Sequence, residues 1–578
     1  MKLIVREYLA SLKERDELDA ILPDLLSQLG LNVYSRPARG PRQDGVDIGA
    51  VGSLDGGPER VYLFSIKAGD LTRRDWSGES MQSLRPSLDE IVDAYIPNRL
   101  PVEHRDKPVC ICITMGGNVR EEVRAQLTGY IARNSSEKIS FEEWNGDKLA
   151  AYIQSEFLRE DLMPEEARSL LRKSLSMIDE PDVSYRHFAK LVRKISSVQE
   201  QGDRQRITAI RQLGICLWIL FGWSRDAKNT EAAYRAAEIT LLYAWGIVKF
   251  YIDKNTNRSR AINSAFFSIF SAYTQICEDF LATNVLPYVD KRHALSHAIF
   301  SRHNLDVNLK LFDLLGRIAM AGLWSHWFLT LETEVEPQIA AALQEKVLKN
   351  IEALKALISN NPALLLPAKD DQAIDIMIAT LLLAYEVSNK GYVADWLGQI
   401  AERSRFSYKM NERYPAVFSD YGELLGHPQS EEIDYRERAT SASILYPSIS
   451  LWAALLGEMS IYEKIAKIKT DLMPHCTFQF WYPDETSEEH FYRNSDAHGA
   501  VLPNPVVEKS PRELLEQAFG ECDSASHTRS LSAVRCGWWP LIVIACRHHR
   551  MPLPLDFFQA IYLSTLPKNK NGESGSTN

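Results

Sequence analysis

The chain has 578 residues, of which 45% are hydrophobic and 25% charged, and its formal net charge is −10. This length predicts several domains, and the composition is typical of a soluble globular protein. The negative charge excludes a uniformly basic coat for nucleic acid, so a polyanion would have to meet a local basic patch.

The amino-terminal segment "MKLIVREYLASLKERDE" carries charges every few positions, which is not the pattern of a secretory signal. The eight cysteines form no CxxC pair, and no apolar run reaches the roughly 18 to 20 residues of a membrane-spanning helix. We therefore expect a cytoplasmic protein that does not contact a membrane.

Helix and strand patterns alternate in the first 160 residues. Leucine and isoleucine recur at helical spacing from Leu18 to Leu29, and Gly30 ends that helix before the extended segment "LNVYS". Two strands follow around the turn "GSLDGGPER", then a helix in "SMQSLRPSLDEIVDAYI" and a buried strand in "PVCICITMGG". "EEVRAQLTGYIARN" is a further helix, and "KISFEEWNGDKLAAYIQ" contains a strand, a turn and a helix. The predicted order is α-β-β-α-β-α-β-α, a compact α/β domain.

The chain beyond about Met163 has a predominantly helical pattern. Apolar residues recur almost only at helical spacing, without a fixed repeat period, and "CTFQFWYPDE" predicts one short strand. "SPRE" from Ser510 predicts a capping box at the start of a helix. We divide this region into helical domains over residues 161–405 and 406–568, the second with a strand and loop insertion near 475–505, and a disordered tail over 569–578.

The hairpin formed by "DGVDIGAV" and "VYLFSIKAGD" carries an acid on one arm and a lysine on the other. Side chains alternate across a strand, and a hairpin folded about its Gly-Gly pair brings Asp47 roughly opposite Lys67, on the face that also carries Ser65. A carboxylate binds Mg²⁺ through oxygen, the carbonyl of Ile66 is a candidate further ligand, and a lysine stabilises charge on a phosphate during hydrolysis. The simpler interpretation is a cross-strand ion pair worth under about 1 kcal/mol.

These residues resemble those of a known family. "GVDIGAV" followed by "VYLFSIKAG", after an amphipathic helix and an "LGLNV" strand, is similar to the PD-(D/E)xK nuclease superfamily and, within it, to Mrr-like restriction endonucleases. The resemblance covers roughly residues 15 to 155 and includes "WNGDKLAAYI" as the final strand, turn and helix. It implies an α/β restriction-endonuclease-like domain over residues 1–160, followed by a large mostly α-helical region.

The resemblance also implies a catalytic site. By position, Asp47 corresponds to the metal-binding Asp and Lys67 to the catalytic lysine, and Asp19, or alternatively Glu17, corresponds to the acid of the first helix. The implied cofactor is Mg²⁺ or Mn²⁺. The implied substrate is DNA, with RNA left open.

The sequence departs from the family pattern at Ser65, where family members usually have Glu or Asp, and Mrr-like members often Gln, two residues before the lysine. A hydroxyl is a weaker metal ligand than a carboxylate. Either another acid compensates, with Asp19, Glu79 and Asp44 as candidates, or metal affinity is reduced and the domain is inactive.

Arginines flank the predicted site on both sides. Arg36, Arg39 and Arg42 precede it in the chain, and Arg73 and Arg74 follow it. Loops at both strand ends would bring these guanidinium groups to a phosphate backbone, without reading the bases. The alternative is that they are ordinary exposed loop residues.

Histidines elsewhere favour structural interpretations. His293 and His297 lie one helical turn apart but lack the Glu of a zinc motif and a third ligand, which favours a helical surface. The polar stretch from His475 to His498 is interpreted as a solvated insertion. No phosphate-binding loop motif occurs in the chain, which disfavours an intrinsic ATPase.

Two functions are consistent with these patterns. The first is a metal-dependent DNA endonuclease effector of a restriction or antiphage defence system, whose helical region regulates it, senses a partner or assembles subunits. The second is a catalytically inactive nuclease fold that docks nucleic acid or protein within a larger complex. In either case we expect a homo-oligomer and partner proteins from a defence operon.

Overall fold

A computed structural model describes the protein over residues 5–6, 9–10, 12, 14, 18–36, 44–54, 56–78, 83–156, 165–197, 202–299, 301, 303–331, 337–494 and 496–565. The chain divides into two compact units, unit 1 (Met1–Ile276) and unit 2 (Cys277–Asn578). The predicted domain boundaries after residues 160 and 405 stay predictions, and the predicted tail lies outside the described residues.

Unit 1 contains a five-stranded mixed sheet whose strands lie side by side in chain order. They are β1 (Asn32–Ser35), β2 (Ile48–Gly52), β3 (Arg60–Lys67), β4 (Val109–Met115) and β5 (Ile139–Trp144). The first three strands form an antiparallel meander, and β3, β4 and β5 are parallel. The sheet has one strand more than the predicted order, because the extended segment "LNVYS" pairs with β2 at the edge.

In the described part of the chain, five α-helices of five residues or more lie beside the sheet, and all but the second match helices that the sequence predicts. They are α1 (Asp19–Gln28), α2 (Arg73–Ser77), α3 (Leu84–Glu90), α4 (Glu121–Asn134) and α5 (Gly146–Glu156). One face of β3 and β4 packs with α3 and α4 in a single apolar core that includes Leu63, Ile111, Leu88 and Leu127. On the other face Phe64 meets Trp144, whose ring also contacts a tyrosine of α5.

Both faces of the central strands are therefore covered. Every residue of β4 is buried, and β3 is buried from its second residue to its last. This explains the continuous apolar run of "PVCICITMGG", since a strand covered on both faces does not alternate between apolar and polar residues. The polar side chains at the end of β3 consequently lie at the margin of a core rather than on an open surface.

The rest of unit 1 is helical, as predicted. Its helices are α6 (Glu165–Ser176), α7 (Pro181–Ser196), α8 (Asp203–Asp226), α9 (Glu231–Val248) and α10 (Asn257–Asn284), the last of which crosses into unit 2. By length and composition α8 alone among the described helices qualifies to cross a membrane. However, 83% of its apolar window is buried inside the protein, as in a core helix.

Unit 2 is almost entirely helical. Its α-helices of five residues or more are α11 (Ala294–Ala298), α12 (Asn304–Leu331), α13 (Pro337–Asn360), α14 (Ala373–Leu383), α15 (Lys390–Lys409), α16 (Tyr421–Gly426), α17 (Ile433–Ala439), α18 (Leu445–Leu456), α19 (Met459–Lys467), α20 (Pro511–Ala525), α21 (Pro540–His549) and α22 (Asp556–Thr565). A small sheet joins β6 (Ala442–Ser443), β7 (Thr477–Tyr482) and β8 (Ala500–Pro503). β7 is the strand predicted in "CTFQFWYPDE", and Ser510 forms the predicted capping box with Glu513.

Candidate active site

The predicted acid Asp47 is positioned by a tight turn immediately before β2. Asp44 and Gly45 both have positive φ, of 46° and 79°. A Cβ on Gly45 would lie 2.0 Å from the carbonyl oxygen of Ser87 in α3. Both the conformation and the close approach require glycine there, and together they fix where the chain enters the sheet.

The carboxylate of Asp47 is fastened to the neighbouring strand. Its backbone N–H donates to the carbonyl of Phe64 at 2.9 Å, and the N–H of Ile66 donates to Asp47 Oδ2 at 2.7 Å. The Asp47 carboxylate therefore accepts the Ile66 N–H in place of a backbone carbonyl, one residue before the start of β2. This contact holds one carboxylate oxygen against the end of β3, beside the residue that precedes Lys67.

The register of the hairpin differs from the predicted one by two residues. Ile48 pairs with Phe64 and the regular pairing begins there, so Asp47 lies just before the ladder, with its N–H on the Phe64 carbonyl and its side chain on the Ile66 N–H. The observed pairs put the centre of the hairpin at Gly56, whereas a pairing of Asp47 with Lys67 would put it at Gly57. A shift of one residue in the centre of a hairpin moves each cross-strand partner by two.

Lys67 is nearly buried and is held by an acid that the sequence interpretation did not select. Its Nζ lies 3.3 Å from both carboxylate oxygens of Glu14, and the side chains of Lys67 and Glu14 are 11% and 33% exposed. Lys67 therefore pairs with Glu14 at the margin of the core and does not lie on an open surface. Glu14 precedes the buried Leu18 by one helical turn, and this spacing would have placed it on the inward face.

Leu9 of the amino-terminal segment lies at the end of β4. A Cβ on Gly116, directly after β4, would meet the carbonyl oxygen of Leu9 at 2.0 Å, so the two backbones touch there. Beside this contact, Asp70 accepts from the N–H of Asn118 at 2.8 Å and pairs with Arg120 at 2.8 Å. Leu9, Asp70 and Asn118 thus lie at the edge of the sheet that carries Lys67.

Three of the predicted arginines lie at the same edge of the sheet. β1 runs antiparallel to β2, so Arg36, directly after β1, lies at the edge where β2 begins and β3 ends. Arg73 and Arg74 begin α2 shortly after β3, and all three are exposed. Arg39 and Arg42 lie outside the described residues.

Arg36 also acts on the buried Asp24 of α1. Burial raises the pKa of Asp24, whereas the charges of Arg211 and Arg36 and a hydrogen bond from Ser268 lower it. The charge of Arg36 therefore interacts with charged residues of α1 and α8 as well as with the edge of the sheet. Arg73 and Arg74 are the arginines best placed to face solvent beside the site.

The acids proposed to compensate for Ser65 have separate surroundings. Ser65 itself is 1% exposed. Asp44 pairs with Arg99 at 2.6 Å, Asp19 begins α1, and Glu17 and Glu79 lie outside the described residues. Within the part of the chain that the structure describes, no group of three or more His, Cys, Asp or Glu residues is arranged to hold a metal ion.

The other histidines do not form a site of this kind. The rings of His293 and His297 lie 6.4 Å apart at the start of α11. His498 stacks on His490 at 5.5 Å, and burial lowers the pKa of His498 to about 4. Because Phe491 between them is fully buried, the prediction of a solvated insertion is wrong for this segment.

Comparison with known proteins gives no relative on which to base a function. No protein-family model matches the chain, and no curated protein or solved structure matches it. The functional interpretation therefore depends on the geometry of the site.

Proposed function

We propose that unit 1 is a metal-dependent phosphodiesterase of the restriction-endonuclease-like class that cleaves DNA. The observation that carries the proposal is the edge where β2 begins and β3 ends. There the carboxylate of Asp47 is fixed 2.7 Å from the N–H of Ile66, and Lys67 follows on the same strand, held by Glu14.

The topology supports the same class. A helix, an antiparallel meander of three strands, further helices and a parallel fourth strand follow one another along the chain. The acid stands at the start of the second strand and the lysine at the end of the third. This is the arrangement that the resemblance to the PD-(D/E)xK superfamily implies.

The donor atoms at this edge suit Mg²⁺ in kind. Mg²⁺ prefers hard oxygen ligands and is commonly held by one or two carboxylates together with water and substrate phosphates. Asp47, with the Ile66 carbonyl beside it, would hold the ion, which would supply Lewis-acid activation of the phosphate. Such a site can be built from one carboxylate, one backbone carbonyl, water and the substrate phosphate, without a group of three acidic side chains.

The side chains around Asp47 have distinct roles in this proposal. The Lys67 ammonium stabilises the negative charge that develops on the phosphate oxygens. Glu14 is a positioning residue, because its two oxygens hold Lys67 at the end of β3. Ser65 presents only a buried hydroxyl at the position of the family acid, so Asp47 carries most of the protein's contribution to metal binding.

The biological role follows by analogy. A nuclease in a bacterial cytoplasm needs restraint, which we assign to the helical region, together with sensing of a partner or assembly into a homo-oligomer. The effector would then belong to a restriction or antiphage system and act with proteins of the same operon.

A second function is favoured by one observation. Lys67 is only 11% exposed and already contacts a carboxylate, which is unfavourable for reaching a phosphate. An inactive nuclease fold that docks nucleic acid or protein would keep this pair for stability. Ser65 in place of the family acid would then mark the lost activity.

Cleavage of supercoiled plasmid separates the two functions. The full-length protein, Asp47→Asn, Lys67→Met and the control Lys107→Met, whose lysine pairs with Glu59, are compared with Mg²⁺ or Mn²⁺ and with EDTA. The proposal predicts metal-dependent cutting by wild type and Lys107→Met only. Plasmid binding without cutting by all four proteins supports the inactive docking fold. Cutting by Asp47→Asn and Lys67→Met would show that the proposed catalytic site is wrong.

A further inference from the structure

A cavity among the helices of unit 1 lies apart from the residues of the proposed active site. It occupies about 750 Å³ where α9 ends and where α8 and α10 begin. Its lining includes Arg206, Phe250, Tyr251, Lys254 and Arg258. The predicted phosphodiesterase site contains none of these residues, so the cavity calls for its own explanation.

The cavity lies in a basic part of this acidic chain. Residues 203–206 and 249–260 contain six basic and two acidic residues, in a chain whose net charge is −10. Lys254 and Arg258 are exposed at the cavity. A local excess of positive charge in a concave surface attracts a polyanion even when the rest of the surface repels it.

The cationic groups are held in place by a network around Asp203. Tyr251 donates to Asp203 at 2.5 Å, Arg206 donates to the Tyr251 hydroxyl at 2.5 Å, and Arg258 lies 3.4 Å from the Asp203 carboxylate. The hydrogen bond from Tyr251 lowers the pKa of Asp203, with help from the two arginines. The network fixes guanidinium groups at the wall of the cavity before any ligand arrives.

An exposed aromatic ring completes the lining. Phe250 is 55% exposed, although phenylalanine is normally buried, and it shares the cavity with the cations. The ammonium of Lys249 lies 5.3 Å from its ring centre. Basic side chains that follow a phosphate backbone, combined with an aromatic face on which a base can stack, are characteristic of surfaces that bind single-stranded nucleic acid.

We propose that this cavity binds a single phosphodiester strand with an unpaired base stacked on Phe250. DNA and RNA share the chemistry that would be recognised, a phosphate backbone and a flat base. The inference goes beyond the proposed hydrolysis and does not depend on it, because binding here requires neither Asp47 nor Lys67.

Strand binding is measured by fluorescence anisotropy with the full-length protein in EDTA, which removes metal-dependent cleavage. The probes are labelled oligothymidylate and oligouridylate of about 20 nucleotides and a duplex of the same length. The variants are Phe250→Ala and the double variant Lys254→Glu/Arg258→Glu. Their controls are Phe267→Ala, another exposed phenylalanine, and Lys349→Glu, an exposed lysine of unit 2.

The charge-reversal variant should bind a single strand at least about 10-fold more weakly and lower the slope of log affinity against log salt by about 1.4, since each lost phosphate contact removes about 0.7. Phe250→Ala should bind about 5-fold more weakly or worse with an unchanged salt slope. The two controls should bind as wild type does. Thermal unfolding midpoints equal to wild type verify that the variants are folded.

The inference is overturned if wild type does not bind a single strand, if both cavity variants bind as tightly as wild type, or if the controls lose as much affinity. Equal binding of duplex together with no effect of Phe250→Ala also overturns it. The two single-stranded probes decide between DNA and RNA. Strand binding without plasmid cleavage would refute the proposed nuclease and leave this inference intact. Plasmid cleavage without strand binding at the cavity would refute this inference and leave the proposed nuclease intact.

Discussion

At the scale of single residues, the contact between Glu14 and Lys67 fixes the position of the proposed catalytic lysine. A lysine that is 11% exposed needs a nearby counter-charge, and Glu14 supplies it at 3.3 Å. The resemblance to a nuclease family implies an acid in the first helix, with Asp19 or alternatively Glu17 as the predicted residue, and that assignment stays a prediction. Glu14 lies one helical turn before the buried Leu18 in the sequence, which is the spacing of an inward-facing residue.

Glu14→Gln should destabilise the protein by about 2 kcal/mol, because it leaves the nearly buried Lys67 ammonium without its counter-charge. Lys67→Met added to Glu14→Gln should recover part of that loss. Thermal unfolding of the wild type, the two single variants and the double variant forms a double-mutant cycle. Losses that simply add would show that the two side chains do not interact.

A second residue-scale prediction concerns the buried His427 of unit 2. Its Nε2–H donates to the Tyr414 carbonyl at 2.9 Å, and its Nδ1 accepts from the Tyr435 hydroxyl at 2.9 Å. This assignment follows from the partners, since a carbonyl can only accept. Burial lowers the pKa of His427 from 6.5 to about 4, so the folded protein keeps the ring neutral.

The unfolded chain therefore binds more protons than the folded one between about pH 6.5 and 4, and this part of the stability is lost as the pH falls through that window. His427→Gln does not titrate there, so its stability deficit against wild type should shrink by about 3 kcal/mol from neutral pH to pH 4. Unfolding midpoints of both proteins across the window measure the deficit. A deficit that is constant with pH would refute a buried neutral imidazole.

At the scale of elements, the turn before β2 positions Asp47. Gly45→Ala should cost about 3 kcal/mol, because the added Cβ would meet the Ser87 carbonyl at 2.0 Å and the backbone has a φ of 79°. Gly56→Ala is the matched control. Gly56 has a φ of 73° but no atom within 4 Å of the added Cβ, so about 1 kcal/mol is expected.

Thermal unfolding of the two glycine variants gives the comparison, and plasmid cleavage gives a second readout. The proposed site predicts that Gly45→Ala loses cleavage and Gly56→Ala retains it. Equal destabilisation by both substitutions would mean that the close contact of Gly45 with the Ser87 carbonyl of α3 does not constrain the turn.

The elements of unit 1 were predictable because their patterns are local. "PVCICITMGG" is apolar at every strand position, and it forms the buried β4. The pairing of β2 with β3 was not predictable in detail, because a loop of seven residues, from 53 to 59, permits several registers. The approach of the Leu9 carbonyl to Gly116 and the contact of Glu14 with Lys67 were also missed, since contacts between residues so far apart in the chain leave no local pattern.

At the scale of the whole molecule, ionic contacts join distant parts of unit 2. Asp313 of α12 pairs with Arg317 and with Arg547 of α21, each at 2.8 Å. The two arginine side chains are 1% and 5% exposed. Burial raises the pKa of Asp313, but Arg317, Lys310 and Arg547 outweigh it and hold that pKa below its ordinary value of 3.8. Helical periodicity predicted both helices, whereas nothing local in the sequence pairs residues so far apart.

Asp313→Ala should destabilise unit 2 by about 4 kcal/mol, because it removes the counter-charge of two buried guanidinium groups. Glu345→Ala is the control, since Glu345 and its partner Lys349 are 65% and 73% exposed and water screens such a pair, so its loss should have little effect. Calorimetry of both variants measures the difference. Similar small effects for both substitutions would show that the buried network contributes little to stability.

The central claim is that the edge with Asp47 and Lys67 hydrolyses phosphodiester bonds with the help of a divalent metal. The most direct measurement is the single-turnover rate of Mg²⁺-dependent cleavage of an end-labelled DNA duplex by wild type and by Asp47→Asn. The asparagine oxygen can still accept from the Ile66 N–H, so the substitution removes charge with little change of structure. The proposal predicts cleavage by wild type and a rate at least about 100-fold lower for Asp47→Asn. Equal rates for the two proteins, or no cleavage by wild type with Mg²⁺ or Mn²⁺, would contradict it.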